Sequence, residues 1–451
     1  MIKKIFLCAI MLILMNDLHG QIKIDRELEG FWQGALIKGG NSVQLIQADV
    51  FPRGDTMRIA SEIPDWVYYP PRESQLTQNG DTLIFQTYYG EARLFLDTAY
   101  QEMVGQVGSQ SPPMNIHLKK NLKPPKITIA AEEIEIENRG ASLNGTLFYP
   151  ENASRGQLAC AVLVHGRGCA GRKRKESRAK KLAEYGIATF VYDKRGSDPS
   201  GFPCEESTHD LNVSDVKEIV ERVSEHSVTD PLRIGLISYS AGGWIIPEVA
   251  VQSQVPVAFM ITVVGPTTSV LQQQLDGLEA FMKRDDASQK AIEEGKKYTR
   301  LLFSEEDPEE VYVELKELLV KGEERGWTKW LVEDDYVESP DAFDELWVQR
   351  FRYDPSGDLM AYPGPYLAIF GEDDYVVPYE KQISRLEELM SKAGKENYKA
   401  MVIPKAGHGL EHGSSLVQTD RNNYYYKFDR VAYGAIQFIV DFLNDEGLIQ
   451  K

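Results

Sequence analysis

The segment Arg233–Gln252, RIGLISYSAGGWIIPEVAVQ, constrains the chain more than any other. An apolar run without alternation stops at a cluster of small residues and restarts with helical character, which reads as a strand, a sharp turn and a helix. Ser240 sits at the turn, followed by Ala241, Gly242 and Gly243. Small neighbours let a strand reverse into a helix this tightly, and the reversal pushes the serine hydroxyl out of the backbone. The pattern is the Gly-x-Ser-x-Gly elbow with Ser238 in place of its first glycine. A serine in an ordinary glycine-rich turn is the alternative, so the elbow needs partners elsewhere in the chain.

The surrounding sequence predicts the sheet that such an elbow requires. ITIAAEEIEIEN and SLNGTLFYP read as strands, and QLACAVLVHG as a fully buried strand, the pattern of a sheet covered on both faces. A charged helix pattern, the buried run IATFVYD and a helix pattern over Val213–Ser224 precede the elbow, and Pro256–Val264 follows it as a strand. Strands alternating with helices imply an α/β, doubly wound, mostly parallel sheet. About 100 residues without a strand-like run then separate Val264 from the strand Tyr366–Phe370, far beyond an ordinary connection. They read as a helical cap over about Thr268–Tyr362. Within it Asp307 caps a helix, Pro308 fits its first turn, and Val311, Leu315, Leu318 and Leu319 share one apolar face. The cap's acidic residues, such as Asp334, Asp335 and Asp341, read as a solvated face.

Residues 21–122 follow a different rhythm. SVQLIQADVF, DTLIFQTYYG and EARLFLD alternate with period two and are punctuated by Asn-Gly and Gly turns, which predicts a small antiparallel all-β domain, sandwich or barrel. Trp32, Trp66 and the tyrosines at 68, 69, 88 and 89 read as packing aromatics, with a binding surface as the alternative. Lys123-Pro-Pro-Lys126 is a linker by composition, and residues 126–451 form the second domain. Ahead of both, Met1–Gly20 carries Lys3 and Lys4, the apolar run Ile5–Leu14 and a polar end. This is a signal-peptide pattern, and its apolar run is half the roughly 20 residues that span a bilayer. The expectation is export to the periplasm or the outside, with no membrane anchor after cleavage beyond Gly20.

A serine hydroxyl is a weak nucleophile and needs a base, which in turn needs an acid to orient it. LAIFGEDDYVVP is a buried strand ending in carboxylates, where Gly-x-x-Asp spacing selects Asp374, with Asp373 and then Glu372 as alternatives. MVIPKAGHGLEHG offers His408 between glycines, with His412 as its rival. The order Ser240, Asp374, His408 is the serine, acid, histidine order of one hydrolase fold. The tetrahedral oxyanion of such chemistry needs N–H donors. The backbone N–H of Ala241 supplies one, and Arg167, in the loop His165-Gly166-Arg167-Gly168 after a buried strand, supplies the other. His165 reads as ordering that loop.

On SLNGTLFYP, VLVHGRG, FVYDKRGSDPSG, SYSAGGWIIP, RYDP, FGEDDYVVP and AGHG, residues 126–451 resemble the secreted α/β-hydrolases of the serine-esterase and peptidase-like group. The opening Gly30-Phe-Trp-Gln-Gly34 and the closing Ile116-His-Leu-Lys119 are similar to the N-terminal β-domain of many such proteins. The resemblance implies a serine hydrolase without cofactor and a site floor shaped by Asp193-Lys-Arg-Gly196. It departs at Ser238 and at Cys169-Ala170, where a Pro-containing turn is usual. In a sheet of that kind the strands ending at Val164 and Tyr192 are neighbours, so Cys169 and Cys204 emerge at one edge. Export allows them to form a disulfide, with two free thiols as the alternative, while Cys160 stays buried and reduced.

A formal charge of −18 over 451 residues repels polyphosphate and argues against nucleic-acid and anionic-membrane partners. No spacing of the seven histidines with Cys or carboxylates suggests a metal, and no phosphate or dinucleotide loop is evident. The expected activity is hydrolysis of a small carboxylic ester through an acyl-enzyme on Ser240. A serine peptidase of the same fold is the first rival, and a non-catalytic glycan- or peptide-binding protein the second. The sequence leaves the oligomeric state open.

Overall fold

Two burial rhythms divide the computed structural model, which describes residues 28–38, 42–63, 70–98, 101–108, 114–121, 127–332, 335–403, 406–410, 416–418, 424–426 and 435–449. The leader Met1–Gly20, Trp66, Tyr68, Tyr69, the linker Lys123–Lys126, Asp334 and His412 lie outside the described residues. Among the described residues no helix is long and apolar enough to cross a membrane.

The first rhythm is alternation. Strands β1 (Gly30–Lys38), β2 (Ser42–Arg53), β3 (Thr56–Glu62), β4 (Arg72–Asn79), β5 (Thr82–Thr87), β6 (Gly90–Asp97), β7 (Glu102–Val107) and β8 (Met114–Asn121) each pair antiparallel with the next, and β8 closes on β1. Of the two readings, sandwich or barrel, the structure is a closed barrel. In β5 every second residue, Leu83, Phe85 and Thr87, is buried, because successive side chains point to opposite faces of a strand. The inward set, with Trp32, Leu36, Ile46, Phe85 and Leu94, fills the interior. Asn79 pairs with Thr82, so a two-residue turn joins β4 to β5, and Gly80 takes the positive φ (60°) that this turn demands. Trp32 is packing, its indole N–H donated to the Leu28 carbonyl, and the Tyr89 hydroxyl donates to Gln44.

The second rhythm is continuous burial. Strand β9 (Ile129–Ile134) is followed by a minor pair, β10 (Glu137–Asn138) and β11 (Ala141–Ser142), then by β12 (Gly145–Pro150), β13 (Leu158–Val164), β14 (Ala188–Tyr192), β15 (Thr229–Tyr239), β16 (Phe259–Val263), β17 (Tyr366–Gly371) and β18 (Tyr398–Ile403). The eight-stranded sheet runs β9-β12-β14-β13-β15-β16-β17-β18, antiparallel at β12 and parallel from β14 to β18. One face packs on helices α2 (His209–Ser224) and α3 (Gly242–Gln252), the other on α1 (Glu176–Glu184). Both faces are therefore apolar, and β17 is buried at every position.

The cap between β16 and β17 holds helices α4 (Val270–Arg284), α5 (Gln289–Leu302), α6 (Pro308–Arg325) and the short α7 (Trp347–Arg350) around its own core of Val311, Leu315, Tyr298 and Trp327. Asp307 accepts from the N–H groups of Glu309 and Glu310, Pro308 opens α6, and Gly326 ends it in the left-handed region. The helix α8 (Ser356–Ala361) packs Leu359 against the sheet layer, as does α9 (Tyr379–Ala393) with Leu386 and Leu389, while α10 (Ala435–Asp445) covers the opposite face through Ile439 and Leu443. A hairpin of β19 (Leu416–Gln418) and β20 (Tyr424–Tyr426) completes the chain's strands among the described residues. The chain divides into two compact units, the barrel with this hairpin and the sheet with its helices and cap.

Candidate active site

Ser240 leaves β15 with φ of 51°, a left-handed conformation that non-glycine residues rarely hold without support. The support is local. Its N–H donates to Val263 O at 3.0 Å, and its carbonyl accepts from the Gly243 N–H at 2.8 Å as α3 begins. A Cβ on Gly242 would lie 2.7 Å from His165 O and 2.9 Å from the Ser238 Cβ. Ser238 can thus stand where the pattern has glycine because the residue facing it, Gly242, has no side chain.

The predicted partners converge on this hydroxyl. His408 Nε2 lies 2.9 Å from Ser240 Oγ, and His408 Nδ1 lies 2.9 Å from Asp374 Oδ2. The second oxygen of Asp374 accepts the N–H groups of Val376 and Val377, each at 2.9 Å, so the buried carboxylate is held at both ends. Glu372 and Asp373 are exposed, and the Asp373 N–H donates to Ala406 O. The choice among the three carboxylates falls on Asp374 because the turn after β17 points only the third one inward. With Nδ1–H donated to Asp374, His408 presents a bare Nε2 to the serine, the tautomer that accepts its proton.

The loop after β13 runs beside the elbow. A Cβ on Gly166 would sit 3.0 Å from Tyr239 O, 3.3 Å from the Ser240 Cβ and 3.8 Å from the Ala241 nitrogen, so glycine is what permits the approach. Arg167 and Ala241 therefore belong to adjoining backbone segments, as an oxyanion site requires. The Arg167 guanidinium stacks on the Trp347 ring of the cap at 4.0 Å. His165 is buried with Nε2 2.8 Å from Tyr192 O. Burial and the nearby charge of Lys175 hold its pKa well below the usual histidine value. It is a neutral donor that ties the loop to β14, and it stands outside the Ser240–His408–Asp374 chain.

The alpha/beta hydrolase family profile matches residues 161–418, more than half of the chain. The protein belongs to the alpha/beta hydrolase family. Similar solved structures include Est1E from Butyrivibrio proteoclasticus, solved with ferulic acid bound (16% identity, covering 70% of this chain and 98% of that one, TM-score 0.42). The propionate-bound esterase Est2 from Thermogutta terrifontis is similar at 16% identity, 71% and 96% coverage and TM-score 0.43. A proline iminopeptidase from Mycobacterium smegmatis is similar at 16%, 70% and 99%, and 0.43. No curated protein matches the sequence.

Three further features of this alpha/beta hydrolase brace the site, and the sequence pointed to two of them, the disulfide and the Asp193-Lys-Arg-Gly196 segment. Cys169 and Cys204 form a disulfide across 35 residues, and Gly196, at φ of 85°, lets it pass, since a Cβ there would meet Cys169 Sγ at 2.6 Å. Cys160 is free and buried, and burial pushes its thiol pKa up. The second brace is Gln273 on α4, whose amide donates to Val376 O at 2.6 Å, while Gly277 lets the helix close on the same carbonyl. The cap thus touches the loop that carries Asp374, a contact between residues about a hundred positions apart that no local pattern announces. The third is Lys194, whose Nζ donates to the carbonyls of Gly166, Arg167 and Gly168 at 2.7, 3.0 and 3.4 Å. Its neighbour Arg195 is different, forming a buried ion pair with Asp215 and donating to Asn138 O and Arg139 O.

Proposed function

We propose that this alpha/beta hydrolase is an exported serine hydrolase that cleaves small carboxylic esters through an acyl-enzyme on Ser240. The observation that carries the reading is the unbroken chain Ser240 Oγ, His408, Asp374 at 2.9 Å per step on a strained elbow. In the first half-reaction Ser240 Oγ attacks the ester carbonyl while His408 Nε2 takes its proton, and Asp374 stabilises the imidazolium. The oxyanion meets the backbone N–H groups of Ala241 and Arg167. Collapse breaks the bond to the alcohol, which leaves with the proton from His408. Water, deprotonated by His408, then attacks the acyl carbonyl; the bond to Ser240 Oγ breaks, His408 returns the proton to that oxygen, and the carboxylic acid leaves.

The cap supports small esters over extended peptides, because its helices pack against Ala241 and Trp244 of the elbow and leave a bounded site. The disulfide supports an oxidising compartment, in keeping with the leader-like Met1–Gly20. The test uses p-nitrophenyl acetate and butyrate beside aminoacyl anilides. We expect turnover of the esters, falling for long acyl chains, and a loss on the order of 10⁴–10⁶ in Ser240→Ala. Equal or greater kcat/KM on the anilides would make the enzyme a peptidase, and undiminished fluorophosphonate labelling of Ser240→Ala would remove the nucleophile assignment.

A further inference from the structure

The segment Gly166–Gly168 is gripped from behind by a single ammonium group. Lys194 leaves the end of β14, the parallel neighbour of β13, and is 2% exposed. Its three N–H bonds meet three carbonyl oxygens, those of Gly166, Arg167 and Gly168. A lysine ammonium has three donors, so the set is complete. Among the described residues no carboxylate forms an ion pair with it. The charged groups around it are Asp215 of α2, already bound to Arg195, Lys175 ahead of α1, and Asp193, which accepts the Arg172 N–H; His165 is neutral.

The peptide group makes this placement consequential. A trans peptide is planar, with its C=O and N–H pointing to opposite sides. The carbonyl of Gly166 and the N–H of Arg167 belong to one such group. A cation at the oxygen end fixes the plane and draws electron density toward the oxygen, which makes the opposite N–H a stronger donor. We propose that Lys194 is a positioning residue for the oxyanion site: seated on these carbonyls, it orients and polarises the Arg167 peptide so that its N–H binds the developing negative charge. The inference rests on the serine-hydrolase reading above. It predicts an effect on the step that develops charge and little on substrate binding, because an interaction that strengthens with the transition state raises kcat rather than lowering KM. Burial pulls the Lys194 pKa down to about 8, opposed by the attraction of Asp215, so the grip should weaken as pH rises through that value.

Phosphonylation by a fluorophosphonate tests this without a known substrate. The Ser240 Oγ–phosphorus bond forms, the phosphorus–fluorine bond breaks, the serine proton passes to His408, and the phosphoryl oxygen takes the oxyanion position. Lys194→Met should lower the second-order rate about 10–100-fold, part of the roughly 10²–10³ that one donor supplies. The exposed cation control Lys173→Met should leave it unchanged, and ester KM should stay within about twofold. The unaltered enzyme gives an independent readout, its rate falling above about pH 8, with circular dichroism showing the fold intact. An unchanged rate in folded Lys194→Met overturns the inference alone. Absence of labelling in the unaltered protein would overturn the hydrolase reading and this inference together.

Discussion

The barrel and the eight-stranded sheet have the same number of strands and bury different things. In the barrel one face of each strand is inside, and the buried polar side chains among the described residues of its strands are Ser61 and Thr87. In the sheet unit both faces are covered, and His165, Asp193, Lys194, Arg195 and Asp374 are buried, all in loops at the carboxyl ends of β13, β14 and β17. A buried charge is costly unless its partners are fixed. The parallel sheet can fix them because neighbouring strands deliver their loops to one edge, the place where ligands bind in open α/β sheets. The meander of the barrel joins neighbours by hairpins and fills its interior with apolar side chains. The difference marks one unit as a packed scaffold and the other as a strained site.

The comparison can be broken at either unit. The largest expected effect is at the sheet edge: Asp374→Asn should cut ester turnover by about 10⁴ with little change in thermal stability, because it misorients His408 without opening the core. Comparable turnover in this variant would show that another carboxylate serves. In the barrel, Phe85→Ala should instead lower unfolding stability by about 3–5 kcal/mol through lost burial and a cavity, with kcat at 25 °C unchanged. A tenfold loss of kcat there would end the division of labour argued above.

Next in size is the disulfide. Cys169→Ser with Cys204→Ser should cost about 3–4 kcal/mol in the chain-entropy account of a 35-residue loop, measured by denaturant unfolding. Separate alkylation of Cys169 and Cys204 in unreduced protein would show that the bridge does not form.

The smallest effect sharpens the contrast between stability and activity. Burial pulls the Lys194 pKa in the native state down to about 8, whereas in the unfolded chain it stands at about 10.5. Between these values the unfolded state binds more protons, so stability rises with pH, by about 3 kcal/mol at most for a shift of this size. Below pH 8 both states are protonated and the burial penalty is fully present. Buried Tyr192 and Tyr366, whose pKa values burial pushes up, act in the opposite sense above about pH 10. The difference between the unaltered enzyme and Lys194→Met isolates the lysine, and the slope of unfolding free energy with pH should flatten in the variant. Equal slopes would mean that the ammonium is not desolvated.

By itself the sequence determined what depends on local pattern. Period-two alternation with Asn79-Gly80 marks barrel strands, continuous apolar runs mark sheet strands, and Ser240 beside Ala241, Gly242 and Gly243 marks the elbow, because each signal lies within a few residues of its consequence. Chain order brought Asp374 and His408 forward as candidates, and knowing that β13 and β14 are neighbours paired Cys169 with Cys204. Closure of the barrel was decided elsewhere, in the pairing of β1 with β8 across about eighty residues. Spacing favoured Asp374 among three consecutive carboxylates, and the tertiary structure sets it against His408 while leaving Glu372 and Asp373 exposed. It likewise turned Lys194, within the Asp193-Lys-Arg-Gly196 segment, into the group that holds the carbonyls of Gly166, Arg167 and Gly168. A lysine's role depends on which oxygen atoms its long side chain reaches, and those atoms belong to the loop after β13, about thirty residues before it in the chain.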